Sequence, residues 1–352
     1  MNIALITIWH CGNYGAELQT YATVRMLREM GHSVSVIDFR LEELQKRSSL
    51  KGRVFDFLHD CAPVSVKFDH FWKRYIPCTG HYLSSQELAD NPPVADLYLV
   101  GSDQVWNPKI TKAKAPSFFL DFAPKGASMA SYASSFGTGK WTGDERLTEL
   151  ALQQLSRFKG ISCREQQGCD ILKTVFHAEA EHVLDPSLLH QSYPELTGRF
   201  RQKQTLAYYQ LSENEALKQL ARCKAKEMGL RYVDVNKHTN LTPTFTWNRR
   251  SVGQWIKTIA ESSLVITHSF HGVAMCLLYH KPFVAIYDNG DRISRLVSLL
   301  QMVGLEDRLF TSVEAAAQSD IWCKPTDYRR ADEVLALKRE QSINYLKRIT
   351  EE

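Results

Sequence analysis

The sequence contains no run of about 18 consecutive apolar residues, the length a helix needs to cross a bilayer. Its first residues, Met1 to Ile8, carry no basic segment ahead of the apolar run and no small-residue cleavage pattern. That start argues against a secretory leader and predicts a buried first strand. There is no C-x-x-C pair and no cysteine–histidine spacing that suits zinc, so no metal site is expected. The eight cysteines, at 11, 61, 78, 163, 169, 223, 276 and 323, are dispersed. Thiols scattered through a chain of this length point to a reducing compartment, and a cytoplasmic location is expected. Charge of one sign is scarce too: 43 basic against 39 acidic residues leave a net +4. That admits an anionic ligand and predicts no nucleic-acid partner. Neither G-x-G-x-x-G nor a Walker lysine is present. Gly12-Asn13-Tyr14-Gly15, with Asp38 at the end of the second predicted strand, matches a dinucleotide site poorly, and no cofactor is expected. Internal repeats and low-complexity tracts are also missing.

What is present is ordinary globular sequence. With 352 residues and 44% apolar content, the chain suits two domains of about 150 residues each. Ile3 to Trp9 reads as a strand; a helix follows from near Ala16, with Leu18, Tyr21, Val24 and Leu27 on one face and Gly31 as its stop. Val34 to Phe39 is the next strand, and a strand–helix–strand unit implies a parallel sheet. Further strands are expected at Asp96–Val100, Ser128–Phe136 and Gly160–Cys163, with a helix over Glu145–Arg157. Polar sequence from about Gln191 to Gln204 reads as a linker. A second series follows: strands at Leu206–Gln210, Arg231–Val235, Leu264–Thr267 and Pro282–Ile286, and helices at Glu215–Met228, Val252–Glu261, His271–Tyr279 and Ile293–Met302. A polar helix, Arg329 to Ile349, ends the chain. The predicted domains are a Rossmann-like unit over 1–195, a second over 196–328, and a C-terminal helix over 329–352. Two such α/β domains in series resemble the GT-B arrangement, in which the carboxyl edges of both sheets face a shared cleft.

Candidate chemistry lies where strands end. Leu264 to Thr267 runs through His268, Ser269 and Phe270 into a helix beginning near His271 and Gly272. The first N–H groups of that helix lack partners and attract phosphate or carboxylate, and a histidine there can move a proton. The plainer reading is a serine and a histidine that only cap the helix. Arg164 follows the strand ending at Cys163; it either holds an anion bidentately or pairs with Glu165 or another acid. Asp103, in Gly101-Ser102-Asp103-Gln104, either orients a sugar hydroxyl, holds a basic residue, or caps a turn. Asn13 and Tyr14 are placed to line the cleft. Lys281, Arg292 and Arg295 add positive charge near the second sheet. The basic–aromatic stretch from 46 to 75 either touches a membrane-bound partner or packs as ordinary helix and loop.

Seven segments in order carry a resemblance. They are Asn13-Tyr14-Gly15-Ala16 with Leu18-Gln19 and Tyr21-Ala22; Val36-Ile37-Asp38-Phe39-Arg40; Val100-Gly101-Ser102-Asp103-Gln104-Val105-Trp106-Asn107; Ser131 to Gly137; Ser162-Cys163-Arg164-Glu165; Val183-Leu184-Asp185-Pro186; and Ser269-Phe270-His271-Gly272 with Lys281-Pro282-Phe283. Together they resemble the polysaccharide pyruvyl transferase family over roughly residues 3 to 310. The resemblance implies a GT-B-like fold, phosphoenolpyruvate as donor, and a pyruvate ketal on two hydroxyls of a cell-surface or exopolysaccharide glycan, whose acceptor could be lipid-linked. By position, Arg164 and His271 match the family's donor-binding arginine and essential histidine, and Arg295 a later arginine. His268, Ser269, Gly272, Lys281 and Arg295 are expected around the donor, and Asn13, Tyr14 and Asp103 toward the acceptor. Ser269 departs from part of the family, which has arginine two residues before the histidine. Two other functions share the architecture: glycosyl transfer from a nucleotide sugar, and non-catalytic glycan assembly. A peripheral position at the inner face of a membrane is a further expectation.

Overall fold

The computed structural model describes residues 1–41, 63–212, 214–236, 250–287 and 293–351. Most of the basic–aromatic stretch and Arg292 lie outside these residues. The chain forms two compact units. The first holds the strands β1 (Asn2–Ile6), β2 (Ser33–Asp38), β3 (Cys78–His81), β4 (Leu97–Val100) and β5 (Ser128–Ser131), all parallel, in the order β3-β2-β1-β4-β5. Parallel bridges from Ala130 to Gly160 and from Ser134 to Cys163 join β5 to the short pair β6 (Ser162–Cys163) and β7 (Glu181–His182). Strands such as Leu97–Val100 are buried on both faces, which is why they read as unbroken apolar runs without alternation. Helix α1 (Tyr14–Glu29) starts where the Asn13 side chain accepts the N–H groups of Gly15 and Ala16, and it stops ahead of Gly31, whose φ is +90°. Helices α2 (Pro63–Tyr75), α3 (Glu145–Leu155) and α4 (Gln166–Val175) follow. Within α2, Phe68, Phe71 and Trp72 are buried, so these aromatics of the basic–aromatic stretch pack inward.

The second unit repeats the plan. Strands β8 (Thr205–Tyr209), β9 (Arg231–Asp234), β10 (Leu264–Thr267), β11 (Phe283–Ile286) and β12 (Leu309–Phe310) form a parallel sheet in the order β12-β11-β10-β8-β9. Its connecting helices include α5 (Glu215–Glu227), α6 (Val252–Glu261), α7 (Phe270–Leu278) and α8 (Ser294–Val303). Leu206, Tyr208, Leu264, Ile266, Val284 and Ile286 make one face of its core.

The last helix, α9 (Arg329–Glu351), corrects the expected boundaries. Residues 335–352 belong to the first unit rather than forming a separate piece, and residues up to 71 of α2 belong to the second. The first unit is thus built from three chain segments. Amphipathic burial explains the C-terminal return: Leu335, Tyr345, Leu346 and Ile349 are buried although the helix reads as polar. The Tyr345 hydroxyl donates to the Ser131 carbonyl at 2.8 Å, Ser342 Oγ accepts the Leu184 N–H at 2.9 Å, and Arg339 Nε donates to the Leu188 carbonyl at 3.1 Å. We expect Tyr345→Ala to cost about 3–5 kcal/mol in urea unfolding, and Tyr345→Phe only about 1 kcal/mol. Equal losses would assign the hydroxyl, not ring packing, the larger share.

Candidate functional site

In an open parallel sheet the ligand edge lies beyond the carboxyl ends of the strands where the winding reverses. In the first unit that point falls between β1 and β4. The loop after β1 carries two left-handed residues, His10 at φ +57° and Gly12 at φ +65°. The N–H groups of His10 and Cys11 turn onto the carboxylate of Glu17, at 3.4 and 3.2 Å. The Trp72 indole N–H donates to the same carboxylate at 2.5 Å, and its ring stacks on His10 with centroids 3.4 Å apart. A backbone nest that could cradle a phosphate is therefore filled by the chain's own carboxylate. Burial pushes the Glu17 carboxyl up to about 7, against the pull of its N–H donors. Burial, then the charge of Arg40, pushes His10 down to about 4. Asn13 is occupied as the cap of α1, and Tyr14, expected to line a cleft, is fully buried in the core.

The loop after β4 is held differently. Asp103 sits at φ +73°, a strained position for a residue with a side chain. Its Oδ1 accepts from Arg164 Nη2 at 3.1 Å and from the Gln104 N–H at 2.9 Å. Arg164 Nη1 donates to Asp185 Oδ2 at 2.8 Å, and its Nε lies 3.7 Å from Glu165 Oε2. Ser102 Oγ donates to Asp185 Oδ2 at 2.9 Å, and Asp185 Oδ1 takes the Ser187 N–H at 3.0 Å and the Ser187 hydroxyl at 2.6 Å. The Arg164 side chain has no exposure. Burial alone would lower its pKa, but Asp103, Asp185 and Glu165 raise it above the ordinary value. This corrects the expectation of an arginine that clamps a donor carboxylate. One guanidinium already faces three carboxyl groups, so adding an anion would worsen the balance, and the ion-pair reading of Arg164 is the one the geometry realises. Asp103 keeps 13% side-chain exposure and is the member of this network that reaches the edge.

In the second unit the winding reverses between β8 and β10. Ser269 caps α7, its Oγ accepting the Gly272 N–H at 3.4 Å, while its own N–H donates to Thr267 Oγ1 at 3.0 Å. His271 follows in the first turn, 6% exposed and edge-on to Phe270. A Cβ at Gly272 would lie 2.6 Å from Thr267 Oγ1 and 3.1 Å from Tyr209 Cδ1, so only glycine lets the helix start this close to the sheet. His268 Nε2 accepts the Leu211 N–H at 3.0 Å, which places the proton of its neutral ring on Nδ1. Arg295 stands in the first turn of α8, which leaves the carboxyl end of β11. Lys281 does not join this edge. It precedes β11, at the amino end of the parallel sheet, and its Nζ donates to Gln202 Oε1 at 2.5 Å.

Sequence reasoning missed Gln210. It directly follows β8, next to His268, because Tyr209 and Thr267 are register partners. The residue is 4% exposed, and neither amide atom has a hydrogen-bond partner among the described residues. A buried, unsatisfied amide at the end of a strand is a signal no local pattern carries. Among the described residues no cluster of three or more metal-ligating side chains occurs, and no helix is long and apolar enough to cross a membrane.

A family profile described as polysaccharide pyruvyl transferase matches residues 13–290. No curated protein matches significantly. Among solved structures, the S. aureus MnaA–UDP co-structure aligns with a TM-score of 0.56 at 10% identity, covering 99% of this chain and 97% of that one. A putative UDP-N-acetylglucosamine 2-epimerase from Listeria monocytogenes aligns with a TM-score of 0.51 at 12% identity, covering 100% and 97%. At these identities the likeness speaks to the fold, which is GT-B.

Two measurements follow from the geometry. Between pH 4.5 and about 7 the folded chain keeps a proton on Glu17 that the unfolded chain releases, so this contribution to stability is full below pH 4.5 and lost as pH rises through 7. His10 acts oppositely: its contribution is full above pH 6.5 and lost as pH falls toward about 4. The two slopes offset each other in the wild type. Glu17→Gln removes one, and its stability in urea should fall by about 1 kcal/mol from pH 7 to pH 5. A pH slope no steeper than the wild type's would refute the opposition. Separately, Gln210→Leu should stabilise the ligand-free protein by about 1–2 kcal/mol, because an unmet buried amide costs that much. A lower melting temperature would show that the amide is satisfied in solution.

Proposed function

The chain belongs to the polysaccharide pyruvyl transferase family, and from that membership we propose that it moves the pyruvyl group of phosphoenolpyruvate onto two hydroxyls of a sugar, making a pyruvate ketal on a polysaccharide or its precursor. The observation that carries this reading is the division of charge between the two sheet edges. The first offers a carboxylate, Asp103, fixed by a buried arginine. The second offers a helix N-terminus bearing His271, with Arg295 in the first turn of the next helix. A neutral hydroxyl suits the first edge and a polyanionic donor suits the second.

The roles follow from the chemistry of an enol phosphate. The open N–H groups of α7 and Arg295 hold the phosphate, and the Gln210 amide supplies a neutral donor beside them. Protonation of the methylene carbon, with His271 as the acid, leaves a cation at C2. A sugar hydroxyl attacks C2 and gives up its proton. Phosphate then departs with its C–O bond electrons, and the second hydroxyl closes the ring. The sum is phosphoenolpyruvate plus a diol giving a ketal plus inorganic phosphate. Arg164 is a positioning residue here: its guanidinium holds the Asp103 carboxyl group, whose backbone is in a left-handed conformation, for orienting the acceptor.

His271→Ala should cut transfer by about 10²–10⁴-fold with the fold intact by circular dichroism, and wild-type turnover would sink its role. Asp103→Asn should lose turnover to a similar degree while phosphoenolpyruvate still raises the melting temperature of the variant. If only nucleotide sugars stabilise the wild-type protein and phosphoenolpyruvate does not, the donor assignment fails and glycosyl transfer replaces it.

A further inference from the structure

The amino edge of the second sheet, opposite the edge that carries His271, has a surface of its own. The segment 198–204, Gly-Arg-Phe-Arg-Gln-Lys-Gln, is exposed throughout. Its backbone is nonetheless fixed. The Arg201 N–H donates to Glu261 Oε1 at 3.4 Å and the Lys203 N–H to the Glu261 carbonyl at 2.7 Å. Gln202 Nε2 reaches the Ala260 carbonyl at 3.2 Å, and Lys257 Nζ the Arg199 carbonyl at 2.7 Å. An anchored backbone with outward side chains presents Arg199, Phe200 and Arg201 as a rigid set. Neither arginine side chain has an ion pair among the described residues. Phe200, 37% exposed, stands between them with one edge on Tyr279.

The neighbouring strand start extends the pattern. Arg231 pairs with Thr205 in register, and it follows Met228, which is 39% exposed. Lys226 is exposed beside it at the end of α5. Of the acids at this edge, Glu261 is buried and bound to Lys203 and Glu227 is paired with Lys224, while the exposed Glu195 acts on Tyr279. The exposed cations Arg199, Arg201, Lys226 and Arg231 outnumber these acids, and Phe200 and Met228 are exposed apolar side chains of the same edge.

We infer that this edge docks on an anionic lipid surface, with the arginines on headgroups and Phe200 and Met228 at the acyl boundary. Charge complementarity alone would suit any polyanion. The exposed phenylalanine held between two arginines is what favours a bilayer, since an aromatic ring gains from the interface and nothing from a dissolved phosphate. Strands of four or five residues separate this edge from the His271 edge, so docking leaves the chemistry about 15 Å from the membrane. The inference stands apart from the pyruvyl-transfer reading, because its readout is binding and not turnover.

The test is co-sedimentation of the full chain with vesicles of phosphatidylcholine, alone or mixed with phosphatidylglycerol. Binding to the mixed vesicles only, weakened by added salt, is expected. Arg199→Gln with Arg201→Gln should weaken it at least tenfold, about fivefold per charge, with an unchanged circular dichroism spectrum. Phe200→Ser should weaken binding at high salt as well as low. No binding to mixed vesicles at low salt, equal binding to both kinds, or undiminished binding by the double variant would overturn the inference. So would retention on heparin without vesicle binding, which would make the edge a general polyanion site.

Discussion

The buried guanidinium of Arg164 is the contact on which the first ligand edge depends. It gathers the loop after β4, the end of β6 and the segment at Asp185 into one hydrogen-bonded cluster. Withdrawing such a charge from water is expensive, and the expense is met only because every carboxyl group around it has further donors, as with Ser102 and Ser187 on Asp185. Removing one member would strand the others, so the cluster stands or falls together. Its output is small and specific: one aspartate, held in a backbone conformation that side chains avoid, at the rim of the sheet.

That conformation is not isolated. His10, Asp103 and Ala133 all have positive φ, and each lies just beyond β1, β4 or β5, three neighbouring strands. Among the described residues, three of the seven positive-φ residues with side chains thus stand along one rim, where only surrounding structure can keep them. The second unit reaches its working edge by other means. Ser269 caps, Gly272 permits close approach, and no positive-φ residue with a side chain lies between β10 and α7. One sheet is thus a strained, acidic platform and the other a relaxed, N–H-rich one.

Much of this was legible in the residues. Val252–Glu261 and Leu264–Thr267 were found to the residue, because a capping box and a four-residue apolar run mark their limits. Strands β3 and β12 were missed: one is a short, mostly exposed edge strand and the other only two residues long, so neither leaves a period to read. Strand-edge placement of Arg164, Asp103 and His271 was readable, but burial was not. Hence Arg164 looked like an anion clamp, Tyr14 like a cleft residue and Lys281 like a donor ligand, when tertiary packing puts the first two inside and the third at the opposite edge. Gln210 was invisible, since its importance lies in partners it lacks.

The C-terminal helix has a consequence for how such a protein can change. Because residues 335–352 complete the first unit and part of α2 counts with the second, neither unit is a contiguous gene segment. Exchanging one unit between relatives by a single crossover at the 190–191 junction would therefore graft a foreign α9 onto a resident sheet, with its Leu335, Tyr345, Leu346 and Ile349 positions packed against the side chains of another sequence. New specificity in this architecture is more accessible through substitutions in the loops at the strand ends than through the shuffling of whole units.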